Sequence, residues 1–226
     1  MDNSQIEKKR AYLSLIFPLS FVVLLWIIKI TEVYTGTSLS EYGLVPLNAR
    51  GLIGIITGPL LHADWEHLLF NSLPVLLLSW AIFYFYKDIA IKVFLLCYII
   101  SQIWLWFFAR DGCHIGASGL IYAFASFLFV SGIIRKNRSL MALSLLVTFL
   151  YGSIIWGVLP IEKRVSWEGH LMGLIAGIII AFYYKDFGPP LPEKYEDEED
   201  DDDEYLIDYE NYEDFSDQNE EKKSTD

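Results

Sequence analysis

The stretch Gly116-Ala117-Ser118-Gly119-Leu120-Ile121-Tyr122-Ala123 sits at a change of character in the chain. Before it runs a short polar loop, Arg110-Asp111-Gly112-Cys113-His114, and after it an apolar, helix-like run extends from Leu120 to Ile134. Ser118 therefore lies at the mouth of a membrane helix, with glycine on either side. Glycines let backbone approach a partner closely and turn sharply. The first turn of a helix leaves its N–H groups unpaired and pointing at whatever approaches. A serine there presents its hydroxyl beside donors suited to a developing negative charge. The same residues also suit a plainer role, an N-cap serine in a small-residue packing contact. The rest of the chain decides between the two.

The 226 residues are 54% apolar, with a mean hydropathy of +0.35, which is too apolar for a single water-soluble domain. The apolar residues fall into successive blocks rather than one large aqueous core. The formal charge of −12 is uneven. Residues 1–185 carry fourteen Lys and Arg against ten Asp and Glu; residues 186–226 carry three against nineteen. A mildly basic membrane body thus precedes a strongly acidic tail. Neither part has the basic, aromatic-interleaved surface that nucleic-acid binding wants. Of the two cysteines, Cys97 falls inside an apolar block and reads as a small core residue. Cys113 lies in the loop before Ser118, and sequence does not show whether folding brings the two close enough to bridge.

Along the chain, residues 1–10 are polar and end in Lys8-Lys9-Arg10. Ala11 to Ile30 is long enough to cross about 30 Å of hydrocarbon. No small-residue cleavage site follows it, so it reads as an uncleaved first span rather than a secretory signal. Thr31 to Pro59 reads as an external loop with partly helical, interfacial structure. The second span runs through Tyr86, the third from Ile89 to Phe108, the fourth from Ser118 to Ile134, the fifth from Leu140 to Leu159, and the sixth from Glu168 to Tyr184. The expectation is an all-α membrane protein of six spans with both termini on one side. Lys8, Lys9, Arg10, Lys87, Lys92, Arg135, Lys136, Arg138 and Lys185 share that side, which the positive-inside rule makes cytoplasmic. Three parts follow: a cytoplasmic N-terminus at 1–10, a membrane domain at 11–185, and a tail at 186–226. The tail holds an unbroken acidic run from Glu196 to Glu204 and reads as disordered, either solubilising or a docking segment for a partner.

Ionisable and polar groups within spans mark function by default. In the second span His67 and Asn71 are four apart, so they share a helical face, and both can donate hydrogen bonds. Interhelical polar glue is the simpler reading of that pair. His62 lies just outside the helix, placed to cap the loop or to touch a substrate. In the sixth span His170, Gly173 and Gly177 fall at i, i+3 and i+7, again one face. The fourth span offers a matching strip of small residues, Gly119 and Ala123, beside Ser118 and Tyr122. If the two strips meet, His170 is brought towards Ser118 and Tyr122 packs beside the imidazole. That pairs a serine nucleophile with a general base.

These motifs resemble those of the rhomboid family of intramembrane serine proteases. The matches are His62, His67 and Asn71 (His-x4-His-x3-Asn), Gly116 to Gly119 with Tyr122 four beyond Ser118, and His170, Gly173 and Gly177. Each is weak alone; together they fall on the second, fourth and sixth of six expected spans, and the likeness covers roughly residues 11–185. The resemblance implies a six-transmembrane-helix bundle in which Ser118 is the nucleophile and His170 the general base. His67, Asn71 and the Ser118 backbone N–H would form the oxyanion hole. Gly116 would leave room for the substrate backbone, Tyr122 would support the imidazole, and His62 would be a secondary, substrate-side residue. Implied substrates are single-span membrane proteins with small residues at the cut. The implied location is a bacterial inner (plasma) membrane. Two features depart from the commonest bacterial pattern: Arg50 has no tryptophan before it, and the acidic tail lies outside the shared core.

The physical chemistry of the residues agrees with a dyad. A low-dielectric site favours a neutral imidazole able to accept a proton, and Glu168, two residues from His170, is on a different helical face. No cofactor or metal is called for. A metalloprotease helix wants His-Glu-x-x-His, which neither Glu66-His67 nor Glu168-Gly169-His170 fits. The main alternative is a catalytically inactive, rhomboid-like protein that binds membrane clients, although such relatives usually lack the serine or the histidine.

Overall fold

Residues 3–150, 159 and 166–191 are described by a computed structural model. They contain six principal helices: α1 (Asn3–Thr35), α2 (Trp65–Phe85), α3 (Ala90–Phe108), α4 (Ser118–Ile134), α5 (Arg138–Leu150) and α6 (Trp167–Tyr183). Among the described residues the extended backbone pairing is one isolated antiparallel bridge, between Leu44 and His114, and the architecture is all-helical. The later part of the expected fifth span, most of the loop after it, and the tail from residue 192 with its acidic run lie outside the described residues.

α1 is longer at both ends than the apolar block from Ala11 to Ile30 that marked it. Hydropathy reports where apolar side chains stop, whereas the helix continues until its backbone ladder is interrupted. No glycine or proline interrupts residues 4–10. At the far end the i,i+3 pair Lys29–Glu32, 2.8 Å apart, lies within the helix, which ends just before Gly36. α2 packs along α1 through aromatic and polar contacts. Phe17 stacks on Phe83 at 4.7 Å, Trp26 Nε1 donates to Ser72 Oγ at 2.9 Å, and Trp80 Nε1 donates to the Ala11 carbonyl at 3.0 Å.

The segment between α1 and α2 is a chain of short helical turns (Ser40–Tyr42, Ala49–Ile53, Gly54–Thr57 and Gly58–Leu60), in keeping with a partly helical loop. It is tied to the segment before α4 by backbone bonds: Leu44 N–H to the His114 carbonyl (3.0 Å), His114 N–H to the Leu44 carbonyl (2.8 Å), and Gly116 N–H to the Gly58 carbonyl (2.9 Å).

α4 is the central helix. Leu120, Phe124, Phe127 and Leu128 on it are fully buried, and α2, α3, α5 and α6 all pack against it. Its most extensive partner is α6. A Cβ placed on Gly173 would stand 2.0 Å from the Gly119 carbonyl oxygen, and one on Gly177 would stand 2.1 Å from that of Ala123. Backbone therefore meets backbone along this seam, which only small residues permit. Ser126 Oγ adds a bond across it, donating to the Leu174 carbonyl at 2.9 Å.

By length and composition α1, α2 and α3 are sufficient to cross a membrane, while α4 and α6, at 17 residues each, are shorter apolar helices. Tyr12, Leu13, Ile16, Leu69, Phe70 and Phe182 stand exposed on the outer faces of the helices. Outward-facing apolar side chains of this kind fit a lipid surround rather than water. Cys97 is buried and Cys113 exposed, and both are free thiols.

The α4–α6 seam makes a direct prediction. Gly173→Ala should destabilise the folded protein by about 1–3 kcal/mol, because the added methyl has nowhere to go without moving backbone. Thermal unfolding in detergent measures this, and an unchanged midpoint would contradict the packing described.

Candidate active site

Two helix starts form the site. Ser118 is the first residue of α4, preceded by Ala117, whose side chain offers no cap. At the start of α6, Ser166 is the N-cap and its Oγ accepts from Gly169 N–H at 3.4 Å. His170 follows on the first turn of α6, and its Nε2 lies 2.8 Å from Ser118 Oγ. Tyr122, one turn below Ser118, lies flat against the His170 ring, with centroids 4.3 Å apart and planes 16° from parallel. His170 and Tyr122 are buried, and Ser118 is half-buried. A neutral imidazole facing a hydroxyl through a bare ring nitrogen accepts its hydrogen bond.

α2 supplies the facing wall. Its N-cap Asp64 accepts from His67 N–H at 2.7 Å, which fixes the first turn and places His67 one turn before Asn71. Both side chains reach Gly116. A Cβ there would stand 2.6 Å from His67 Cε1, 2.7 Å from His67 Nε2 and 3.6 Å from Asn71 Nδ2. Gly116 also has φ +112°, a conformation that side-chain-bearing residues rarely adopt. Asn71 Nδ2 is buried without a hydrogen-bond partner, so an amide donor stands unused next to the segment that carries Ser118. A buried unsatisfied donor is costly and asks for an explanation.

His62 lies in the loop before α2, buried, its ring edge-on to His67 at 5.0 Å. Burial pushes its imidazole from the ordinary value of 6.5 down to about 3; the neighbouring His67 adds to this and the Leu60 backbone opposes it. The loop is held from α1 by Lys29, whose Nζ donates to Glu32 Oε2 (2.8 Å) and to the carbonyls of His62 and Ala63 (both 3.0 Å).

Sequence reasoning assigned no role to several residues that the structure brings to the site. Lys29 was legible only as a charge near one end of a span, although its i,i+3 spacing to Glu32 signals a pair. Ser166 carried a usable signal, a serine directly before a helix. Glu168 is buried and pairs through Oε1 with Arg110 Nε at 3.2 Å. His114, with its Nδ1 2.7 Å from Ser166 Oγ, had no signal in sequence spacing. A cavity of about 10 Å³ adjoins Ser118, lined by Gly58, Gln102, His114, Ser166 and Gly169 among others. Among the described residues, no group of three or more His, Cys, Asp or Glu side chains is arranged to hold a metal ion.

The rhomboid domain matches residues 49–187. The chain is 34% identical over 173 residues to the uncharacterized protein Rv1337 of Mycobacterium tuberculosis (strain ATCC 25618 / H37Rv), covering 73% of this chain and 72% of that one. It is likewise 34% identical over 173 residues to the uncharacterized protein ML1171 of Mycobacterium leprae (strain TN), covering 73% and 68%. YdcA of Bacillus subtilis (strain 168), provisionally named a rhomboid protease, is 32% identical over 138 residues, covering 57% and 65%. The chain belongs to the rhomboid family. With that membership and its long apolar helices, it is an integral membrane protein.

The buried state of His62 has a consequence for pH. Its folded value lies below the unfolded one, so the unfolded chain binds the extra proton first. The contribution is complete above pH 6.5 and is lost as pH falls from there towards 3. His62→Gln should therefore unfold with a shallower pH dependence over that window, by up to about 1.4 kcal/mol per pH unit. Identical slopes from denaturation at several pH values would show that His62 is not buried in its neutral form.

Proposed function

We propose that the chain is an intramembrane serine endopeptidase that hydrolyses peptide bonds in or near the transmembrane segments of single-span membrane proteins. The observation that carries this reading is the 2.8 Å approach of Ser118 Oγ to His170 Nε2, in a buried setting stacked by Tyr122. In the reaction His170 takes the Ser118 hydroxyl proton as Oγ attacks the scissile carbonyl carbon. The tetrahedral intermediate's oxyanion is met by donors from His67, Asn71 and the Ser118 backbone N–H. The unpartnered Asn71 Nδ2 supports that role, since a buried donor left unused in the resting protein has its acceptor in the transition state. His170 then returns the proton to the departing amine. A water, deprotonated by the same imidazole, attacks the acyl–Ser118 ester and restores the hydroxyl. The cavity beside Ser118 has room for about one water.

Gly116 leaves space for the substrate backbone, and His62 lines the approach behind His67. Gly119, Ala123, Gly173 and Gly177 form the close helix contact that sets the dyad's spacing. The fold around it is a bundle of six spans at 11–185, with 1–10 cytoplasmic and the acidic segment at 186–226 either solubilising or a docking segment for a partner; its first residues are held to the bundle, where Arg135 donates to the Pro189 carbonyl at 2.9 Å. The lysines and arginines of the short loops support cytoplasmic termini, and so an active site opening on the outer face of a bacterial inner membrane.

Reconstituted into vesicles with a panel of single-span substrates, the wild type should cleave, while Ser118→Ala and His170→Ala should not. His67→Ala and Asn71→Ala should each lower kcat by about 100- to 1,000-fold, the loss of one oxyanion donor. Cleavage by Ser118→Ala at the wild-type rate overturns the assignment; silent His67→Ala and Asn71→Ala overturn the oxyanion role alone.

A further inference from the structure

The dyad has a counterpart one layer out. His114 lies four residues before Ser118, and Ser166 lies four residues before His170. The outer pair, His114 Nδ1 and Ser166 Oγ, stands at 2.7 Å, and the inner pair, Ser118 Oγ and His170 Nε2, at 2.8 Å. The two segments thus run in matched register, each joined by one histidine–serine bond at either end, with the histidine and serine exchanged.

The bonding around the outer pair is complete. His114 Nε2 faces the Arg110 carbonyl at 3.1 Å; a carbonyl only accepts, so this nitrogen carries the proton. In the neutral ring Nδ1 is then the acceptor, and Ser166 Oγ–H donates to it. Ser166 Oγ in turn accepts from Gly169 N–H, the residue before His170. Arg110, whose carbonyl orients His114, reaches the same helix start through its ion pair with buried Glu168. His114 is itself clamped from the other side by its two backbone bonds to Leu44. It is buried, as a side chain held on every flank should be.

We infer that His114 and Ser166 are positioning residues, whose hydrogen bond sets the height at which the start of α6 meets the start of α4 and so the distance across the dyad. The glycine seam fixes how closely the two helices lie, and the Ser126–Leu174 bond ties them partway along it, more than a turn beyond Ser118, so sliding has still to be opposed at the helix starts. A directional bond at the helix start opposes it. Because His114 also pairs with Leu44, the bond joins the first loop to the catalytic register. This rests on the protease reading of Ser118 and His170.

The test is cleavage kinetics in vesicles for wild type, Ser118→Ala, His114→Phe, Ser166→Ala, Ser166→Thr and the double variant His114→Phe/Ser166→Ala, with thermal midpoints measured alongside. His114→Phe keeps a ring and loses both side-chain bonds. Displacement of reacting groups by about 1 Å costs on the order of 100-fold. The expected result is a 10- to 100-fold fall in kcat for His114→Phe and Ser166→Ala with KM within about twofold of wild type. The double variant should be no slower than the worse single, and Ser166→Thr, which restores the hydroxyl, should recover most of the rate. Multiplied losses in the double variant, no recovery in Ser166→Thr, or wild-type kcat in folded His114→Phe each overturn the inference and leave the dyad standing. Loss of rate that only tracks unfolding overturns it as well. If wild type and Ser118→Ala are equally inert on every substrate and equally unreactive to a fluorophosphonate, the protease reading fails and the inference falls with it.

Discussion

The contact on which the molecule depends is backbone against backbone, where α4 meets α6. Gly173 lies so close to the Gly119 carbonyl that a single carbon added to it would overlap the oxygen, and Gly177 stands the same way to Ala123. In lipid there is no hydrophobic gain from burying one apolar helix against another, so association relies on close packing and on hydrogen bonds between helices. The glycines provide the first, and Ser126 donating to the Leu174 carbonyl provides part of the second. The Ser118–His170 pair lies at the end of this seam. Ser118 precedes Gly119 and His170 lies one turn before Gly173, so the packing of the helices and the spacing of the dyad follow from the same geometry.

The rest of the site is built by securing loops to those two helix starts. The segment leading to Ser118 is pinned to the first loop at Leu44 and Gly58, while Lys29 on α1 holds the carbonyls of His62 and Ala63 just ahead of α2. Buried charge is costly to leave uncompensated. Here Lys29 has Glu32 and two carbonyls, and Glu168 has Arg110. Such fixed partners suit the proposed chemistry, in which dipoles must already point the right way before the reacting charge develops. Not every buried polar atom is so partnered: Asn71 Nδ2, beside Gly116, and Glu168 Oε2 are both buried without a hydrogen-bond partner.

The helical class of the fold was legible in the sequence because membrane helices declare themselves by apolar length, and α3, α4 and α6 begin and end within a residue of the expected blocks. α1 was underestimated, since its polar ends remain helical beyond its apolar stretch. The approach of Ser118 to His170 was foreshadowed by two strips of small residues at helical spacing, a pattern that records which faces meet. The sequence held no comparable record of the loops. The Leu44–His114 bridge joins residues seventy apart through main-chain atoms, which carry no residue code. His114 read as one polar residue among several in a loop, and only the folded position of Ser166 reveals its partner. Glu168 could be placed on a helical face by counting, but counting did not show that the face turns towards Arg110.

The most direct measurement of the central claim is covalent capture of Ser118 by a fluorophosphonate in native membranes, read by mass spectrometry of the labelled peptide. A serine hydroxyl reacts readily only when a base is held against it. The account predicts a single adduct on Ser118, formed in wild type and lost both in His170→Ala, which removes the base, and in Gly173→Leu, which forces α6 away while leaving both reactive side chains in the chain. An adduct that forms as fast in Gly173→Leu as in wild type, or no adduct on Ser118 at all, would contradict it.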